Sequence, residues 1–374
     1  MTYSIFALCR HRPALLWAAL TVMAASGVPH AWADAVFKDP LDVPAISQKR
    51  LTQKPLMAVA SLGQSLVAVG MRGLIIRSDD QGLSWTQARV PVQSDLLAVQ
   101  FASEQQGWAV GHDGVVLHSA DGGRTWAKQL DGRQAAQTLS DYYQKRIDAG
   151  ERGLQSYVEH LAMNFQAGPS LPFLGVWFDD AENGYAVGAF GTLISSTVDG
   201  GKSWQPALER IDNPDALHLN AITRIGAHLY IAAERGHVFR LNPQTQRFEA
   251  LDTGYAGGLF GLDGNARQLL VYGLGGKAFI STDQGQSWQA VANTSGASLT
   301  GSTYLPEQGR FVLVSSAGQI LSLESGSASL QPFLPPMRTL LTDVVDGGRG
   351  ELITTGLSGS KATLLNQSAV SERK

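Results

Sequence analysis

The stretch Gly107-Trp108-Ala109-Val110-Gly111-His112-Asp113-Gly114, followed by Ser119-Ala120-Asp121-Gly122-Gly123-Arg124-Thr125-Trp126, decides the fold because the chain repeats it. A glycine pair three apart recurs after a short apolar run at Gly70/Gly73, Gly111/Gly114, Gly188/Gly191, Gly273/Gly276 and Gly356/Gly359, with degenerate copies at Ala233/Gly236 and Ser315/Gly318. Upstream of each pair an apolar residue stands two positions before a small one: Leu56/Ala58, Leu96/Ala98, Phe173/Gly175, Leu219/Ala221, Leu259/Gly261, Leu299/Gly301 and Leu340/Thr342. Subtracting successive small positions gives 40, 77, 46, 40, 40 and 41. Seven units therefore share one period, and the long interval holds an insertion of about 36 residues.

A third signal follows the glycine pair after another short strand: Ser/Thr-x-Asp-x-Gly-x-Ser/Thr-Trp. It is complete at Ser78, Asp80, Gly82 and Trp85; at Ser119, Asp121, Gly123 and Trp126; at Thr197, Asp199, Gly201 and Trp204; and at Ser281, Asp283, Gly285 and Trp288. Blade 4 keeps only the aromatic end, between Leu241 and Phe248. Each unit reads as four short strands joined by tight turns, which is a propeller blade. The expected fold is all-β, a seven-bladed β-propeller of four-stranded blades. Small residues suit the crowded innermost strand, and the Trp is large enough to fill the wedge between sheets. The Asp and Ser/Thr side chains are expected to bond amides of their own hairpin, as turn residues do.

The remaining segments follow from this ring. Residues 1–33 carry Arg10 and Arg12, an apolar run from Ala14 to Ala25, and Ala31-Trp32-Ala33 before Asp34, the pattern of a secretory signal. Export, to a periplasm or beyond, is the expectation. Residues 34–50 form a lead-in, 51–366 the propeller and 367–374 a polar tail. The last blade turns polar after residues 361–365, so Ala35 to Lys38, or nearby residues, are expected to supply its outer strand. The only cysteine, Cys9, precedes the apolar run, leaving neither a disulfide nor a lipid-anchor cysteine to expect after cleavage. Glycine is abundant, 41 of 374 residues, in keeping with many turns. A net charge of -3 argues against a duplex nucleic-acid binder.

Strand parity assigns the loops to faces. The turns between second and third strands share one face with the connections between blades, opposite the Asp turns. That face displays Met71-Arg72, His112-Asp113, Ala189-Phe190, Glu234-Arg235, Leu274-Gly275, Ala317 and Leu357-Ser358. It also carries the insertion, 132–170, where the period becomes helical: Leu139, Tyr142, Tyr143 and Ile147 form one stripe, and Leu154, Tyr157, Val158, Leu161 and Phe165 another. A helical hairpin between blades 2 and 3 is expected. The candidate binding residues are Arg72, His112, Asp113, Phe190, Glu234 and Arg235. Arg72, Arg77, Arg235 and Arg240 recur at matching places in blades 1 and 4 and read as a modest basic patch.

No catalytic residue, metal or cofactor is expected. Gly201-Lys202-Ser203 imitates the end of a phosphate loop, but Ser196 stands where that loop needs glycine. The six histidines beyond residue 33 (His112, His118, His160, His218, His228 and His237) include no His-x-x-x-His pair. The alternative to a non-enzymatic scaffold is a glycan-binding or glycoside-hydrolysing propeller using Asp113 and Glu234. Carboxylates converging on the central pit would favour that alternative.

The four Asp turns look like the BNR/Asp-box repeat. Combined with Gly107-Trp108-Ala109-Val110-Gly111, Asp121-Gly122-Gly123-Arg124-Thr125-Trp126 and Gly184-Tyr185-Ala186-Val187-Gly188, they resemble the photosystem II stability and assembly factor family over residues 51–365. That resemblance implies an exported, non-catalytic scaffold that docks on a membrane protein or its assembly intermediate through an arginine-bearing face. The insertion, the missing anchor cysteine and the weak blades 4, 6 and 7 imply a non-photosynthetic bacterial branch, whose members accompany RND-type transporters. Sialidases share the Asp turn but would bring a Phe/Tyr-Arg-Ile-Pro stretch that this sequence lacks.

Overall fold

The computed structural model describes residues 38–191 and 194–365; the signal segment and polar tail of the sequence reading lie outside them. Seven antiparallel sheets follow one another at residues 56–87, 96–130, 173–206, 219–252, 259–290, 299–334 and 341–364. Six have four strands and the seventh has three, each strand bonded to the next in sequence. The innermost strand of every blade packs beside those of its two neighbours, and the last packs beside the first. The chain is a seven-bladed β-propeller.

The apolar and small residues upstream of each glycine pair mark a β-bulge. In blade 1, Leu56 pairs with Gly70 and Ala58 with Val69, so the residue between them is skipped. The same shift occurs at Leu96/Ala98, Leu219/Ala221, Leu259/Gly261 and Leu299/Gly301. Blade 7 departs from the sequence reading: its shift falls at Leu341/Asp343, one residue beyond Leu340/Thr342. The small residues meet the next blade, since a Cβ on Gly301 would lie 2.6 Å from the Asp343 Cα. Gly111 is required by close approach: a Cβ there would lie 2.0 Å from the Asp95 carbonyl oxygen.

The Asp boxes brace their hairpins as expected. Asp80 Oδ1 accepts from Ser84 N (2.9 Å) and Oδ2 from Ser84 Oγ (2.6 Å), while Ser78 Oγ accepts from Gly82 N (2.8 Å). These bonds, the Ser84 hydroxyl first, hold the Asp80 carboxyl down at about 2. The set recurs around Asp121, Asp199 and Asp283. Trp126 and Trp204 are buried in the wedge, and Trp126 meets Phe101 edge-on at 6.0 Å. Trp85 and Trp288 are only half-buried.

Three boxes also lean on the preceding blade. The Arg77 guanidinium donates to Gly122 O, Gln129 Nε2 to Gly200 O (2.7 Å) and Arg240 to Gln284 O (3.2 Å). Arg77 and Arg240 therefore latch blades on the box side and do not join Arg72 and Arg235 in a basic patch. Arg77 is buried and also bonds Ser65 Oγ (2.8 Å) and Asp79.

Closure of the ring rests on the innermost strands. Thr342 Oγ1 donates to Leu56 O (2.8 Å), and Val59 N donates to Asp343 Oδ2 (3.0 Å). Residues 38–55 contain no strand. Ala45 N donates to Val90 O and Gln93 N to Pro40 O, which lays the lead-in along blades 1 and 2. Blade 7 has no outer strand among the described residues; 35–37 lie outside them.

Candidate binding face

In blades 1 to 5 the middle residue of the turn between second and third strands is left-handed: Arg72 (φ 58), Asp113 (φ 58), Phe190 (φ 55), Arg235 (φ 53) and Gly275 (φ 63). Glycine adopts this conformation freely, whereas a residue with a Cβ is disfavoured by roughly 1–2 kcal/mol. Blade 5 uses the unstrained choice; blades 1 to 4 keep a side chain in spite of the strain. Such outliers concentrate where the side chain is used.

The six candidate residues do not form one cluster. Arg72 donates its backbone N–H to Asp95 Oδ1 (2.7 Å), and its exposed guanidinium has no ion pair among the described residues. His112 is exposed, while Asp113 Oδ2 accepts from Ser94 Oγ (2.7 Å). Phe190, 46% exposed, lies 4.4 Å from the His218 ring and donates its N–H to His218 Nδ1 (3.1 Å). Glu234 Oε2 accepts from His218 N (2.9 Å), and Arg235 pairs with Asp215 at 2.8 Å. Phe190 and Glu234 thus meet through His218, a residue the sequence reading noted only as a non-ligand. Asp113 and Glu234 sit in different blades, each holding a neighbouring loop.

The insertion is a helical hairpin on this face, α1 (Gly132–Asp148) and α2 (Gln155–Phe165). Asp131 starts α1 with a capping box, accepting from Arg133 N (3.0 Å) and Gln134 N (3.2 Å) while Gln134 Oε1 accepts from Asp131 N. Burial opposes ionisation of Asp131, but bonds from Arg133 and Lys128 prevail and hold its carboxyl well below the usual range. Both predicted stripes pack against blades 2 to 4, with Leu139, Tyr143, Leu154 and Leu161 buried. Tyr143 anchors the hairpin: its hydroxyl donates to Glu209 Oε2 (2.5 Å) and accepts from Leu208 N (3.1 Å). His160 of α2 approaches Phe190 O at 3.1 Å. A cleft of about 370 Å³ opens between α2 and the link to blade 4, lined by Tyr157, His160, Asn213 and Arg247 among others.

The axis holds a pair of carboxyls that the sequence reading missed. Asp343 Oδ2 accepts from Val59 N (3.0 Å) and Oδ1 from Val344 N (2.8 Å). Asp263 Oδ1 accepts from Gly264 N (2.7 Å) and Oδ2 from Ser302 Oγ (3.1 Å). Burial pushes Asp263 up to about 6 and Asp343 up to about 7 despite these bonds. The expectation of no converging acids at the centre therefore fails. All four oxygens, however, are already engaged: one of each acid accepts from the next residue's own N–H, and the other reaches a neighbouring blade, Asp343 to Val59 and Asp263 to Ser302. Among the described residues no group of three or more His, Cys, Asp or Glu could hold a metal ion.

Comparison with known proteins agrees with this architecture. The family model described as photosynthesis system II assembly factor YCF48 matches residues 63–151 and 155–334. The photosystem II stability/assembly factor HCF136 of Cyanidioschyzon merolae is 30% identical over 82 residues, 20% of this chain and 19% of that protein. The photosystem II assembly lipoprotein Ycf48 of a Synechococcus species is 31% identical over 64 residues, 16% of this chain and 19% of that protein. The chain thus spans about a fifth of the length of these curated relatives. A solved YCF48 bound to D1 peptide superposes with a TM-score of 0.58 at 15% identity, covering 86% of this chain and 98% of the other. The WD40 propeller of Doa1 gives 0.56 at 10% identity, covering 86% and 95%. These structures share the fold. Since the family model matches well over half of its residues, the chain belongs to the YCF48 family of photosystem II assembly factors.

Proposed function

We propose that the protein is a non-enzymatic, exported propeller that docks on a membrane protein or its assembly intermediate through the turn face and the helical insertion. The observation that carries this reading is the retention of Arg72, Phe190 and Arg235 at left-handed turn tips where glycine would be unstrained. A relative bound to a D1 peptide supports a partner of this kind. Export rests on the pattern of residues 1–33. No helix among the described residues is long and apolar enough to cross a membrane. An RND-type transporter is the finer proposal for the partner.

The test replaces Arg72, Phe190 and Arg235 together by Gly. Strain relief keeps the ring folded, so capture of membrane proteins from the producing cell's extract should fall while the melting temperature holds or rises. Undiminished capture of the same membrane protein would overturn the reading. Axial Asp263 and Asp343 give the glycosidase alternative its one structural argument. Turnover of fluorogenic glycosides that disappears in Asp263→Asn and Asp343→Asn would establish it instead.

A further inference from the structure

The turn face divides into two unlike halves. Over blades 2 to 4 it carries the insertion, and its charges are mixed and paired: Arg133 with Asp42 and Asp131, Arg146 with Glu151 and Glu209, Arg235 with Asp215. Over blades 5, 6, 7 and 1 the segments that reach this face are 45–58, 70–74, 253–259, 273–277, 291–300, 315–319, 335–342 and 356–360. They contain no Asp or Glu. They do contain Arg50, Lys54, Arg72, Lys277 and Arg338, and none of these side chains has an ion pair or a hydrogen bond among the described residues. Asp95 and Asp252 mark the two borders of the crescent.

The same crescent presents isolated apolar tips. Met71, Leu274 and Leu357 stand on the turns of blades 1, 5 and 7 and are 40%, 47% and 45% exposed. Phe260, where the innermost strand of blade 5 enters from this face, is also exposed. Each tip is a single side chain on its own tight turn, separated from the next by polar backbone, so together they make no groove for a folded partner. Single apolar side chains at the level of unpaired cations suit a surface that is fluid, negatively charged and apolar just beneath.

We propose that the crescent of blades 5, 6, 7 and 1 rests on an anionic phospholipid bilayer, with Met71, Leu274 and Leu357 entering the headgroup boundary and Arg50, Lys54, Arg72, Lys277 and Arg338 meeting lipid phosphates. The charge complementarity is local: the whole chain carries -3, so only segregation of cations on this half lets it approach such a surface. The insertion half, its charges mixed and paired, stays clear for a protein partner. This attachment shares only Arg72 with the docking reading above, its other residues lie away from Phe190, Arg235 and the insertion, and it needs no protein ligand.

Sedimentation of the purified protein with vesicles tests it. Vesicles of phosphatidylcholine with about 30% phosphatidylglycerol should pull the protein down in about 0.1 M salt at least tenfold better than pure phosphatidylcholine, and about 0.5 M salt should abolish the difference. Lys277→Gln and Arg338→Gln should each weaken partition roughly fivefold. A Leu274→Ser, Leu357→Ser double variant should weaken it roughly tenfold. Lys202→Gln on the box face should leave it unchanged. Equal sedimentation with neutral and anionic vesicles overturns the proposal without reference to any variant. So does binding to soluble polyglutamate with none to vesicles, the mark of an acidic protein partner.

Discussion

Replacing Asp343 by Asn tests the axial closure through the pH dependence of stability. In the folded ring burial raises this carboxyl from 3.8 to about 7. Between those values the native state holds a proton that the unfolded chain has released. Stability is therefore greatest below the unfolded value and is lost as pH rises through the folded one. At 1.36 kcal/mol per pH unit the ceiling is about 4 kcal/mol. Water on the axial side of a half-buried carboxyl lowers the expected figure to about 2 kcal/mol. Asparagine does not titrate, but it turns an N–H₂ toward a backbone N–H and costs about 1–2 kcal/mol at acid pH. Urea unfolding followed by tryptophan fluorescence at about pH 4.5 and about pH 8 measures the gap between the two proteins. The wild-type advantage should shrink by about 2 kcal/mol from acid to alkaline solution, vanishing or reversing. A gap constant to about 0.5 kcal/mol would refute the enclosure of Asp343.

Two further substitutions probe the joints between blades. Trp126→Ala should lower the unfolding free energy by about 3–5 kcal/mol, because a large buried ring is removed from the wedge; a loss under about 0.5 kcal/mol would mean that the ring is not wedged. Arg77→Met should cost about 2–3 kcal/mol by stripping the donor from Gly122 O and leaving Asp79 without its buried partner. Chemical denaturation reads the change, and a neutral result would assign Arg77 back to the solvated surface.

The sheets were legible because each is coded locally. Glycine at Gly111 is enforced by the Asp95 carbonyl oxygen, which any Cβ there would approach to 2.0 Å, and an apolar residue two before a small one is the mark of a bulge. The same code slipped by one residue in blade 7, where consecutive Leu340 and Leu341 both satisfy the apolar position and Thr342 passes for the small one. Arg77 reads from sequence as a neighbour of Arg72 because the two are only five positions apart; strand Ile75–Ser78 carries the chain to the other side of the disc. Asp343 was invisible for a different reason. Its partner Val59 is 284 residues away, and no spacing within one repeat reports a bond across the ring. The turn-tip residues were legible as loops, yet the strain at Arg72, Phe190 and Arg235 appears only in the backbone angles.

The latches have a direction. In each case the donor, Arg77, Gln129 or Arg240, belongs to the earlier blade and the accepting box to the later one. At those three joints a polypeptide growing from its N terminus holds the donor before the box that accepts from it is made, whereas the innermost strand of blade 1 must wait for Thr342 and Asp343 before the ring can close. The seam between end and beginning is thus the joint with the largest span of chain to bring together.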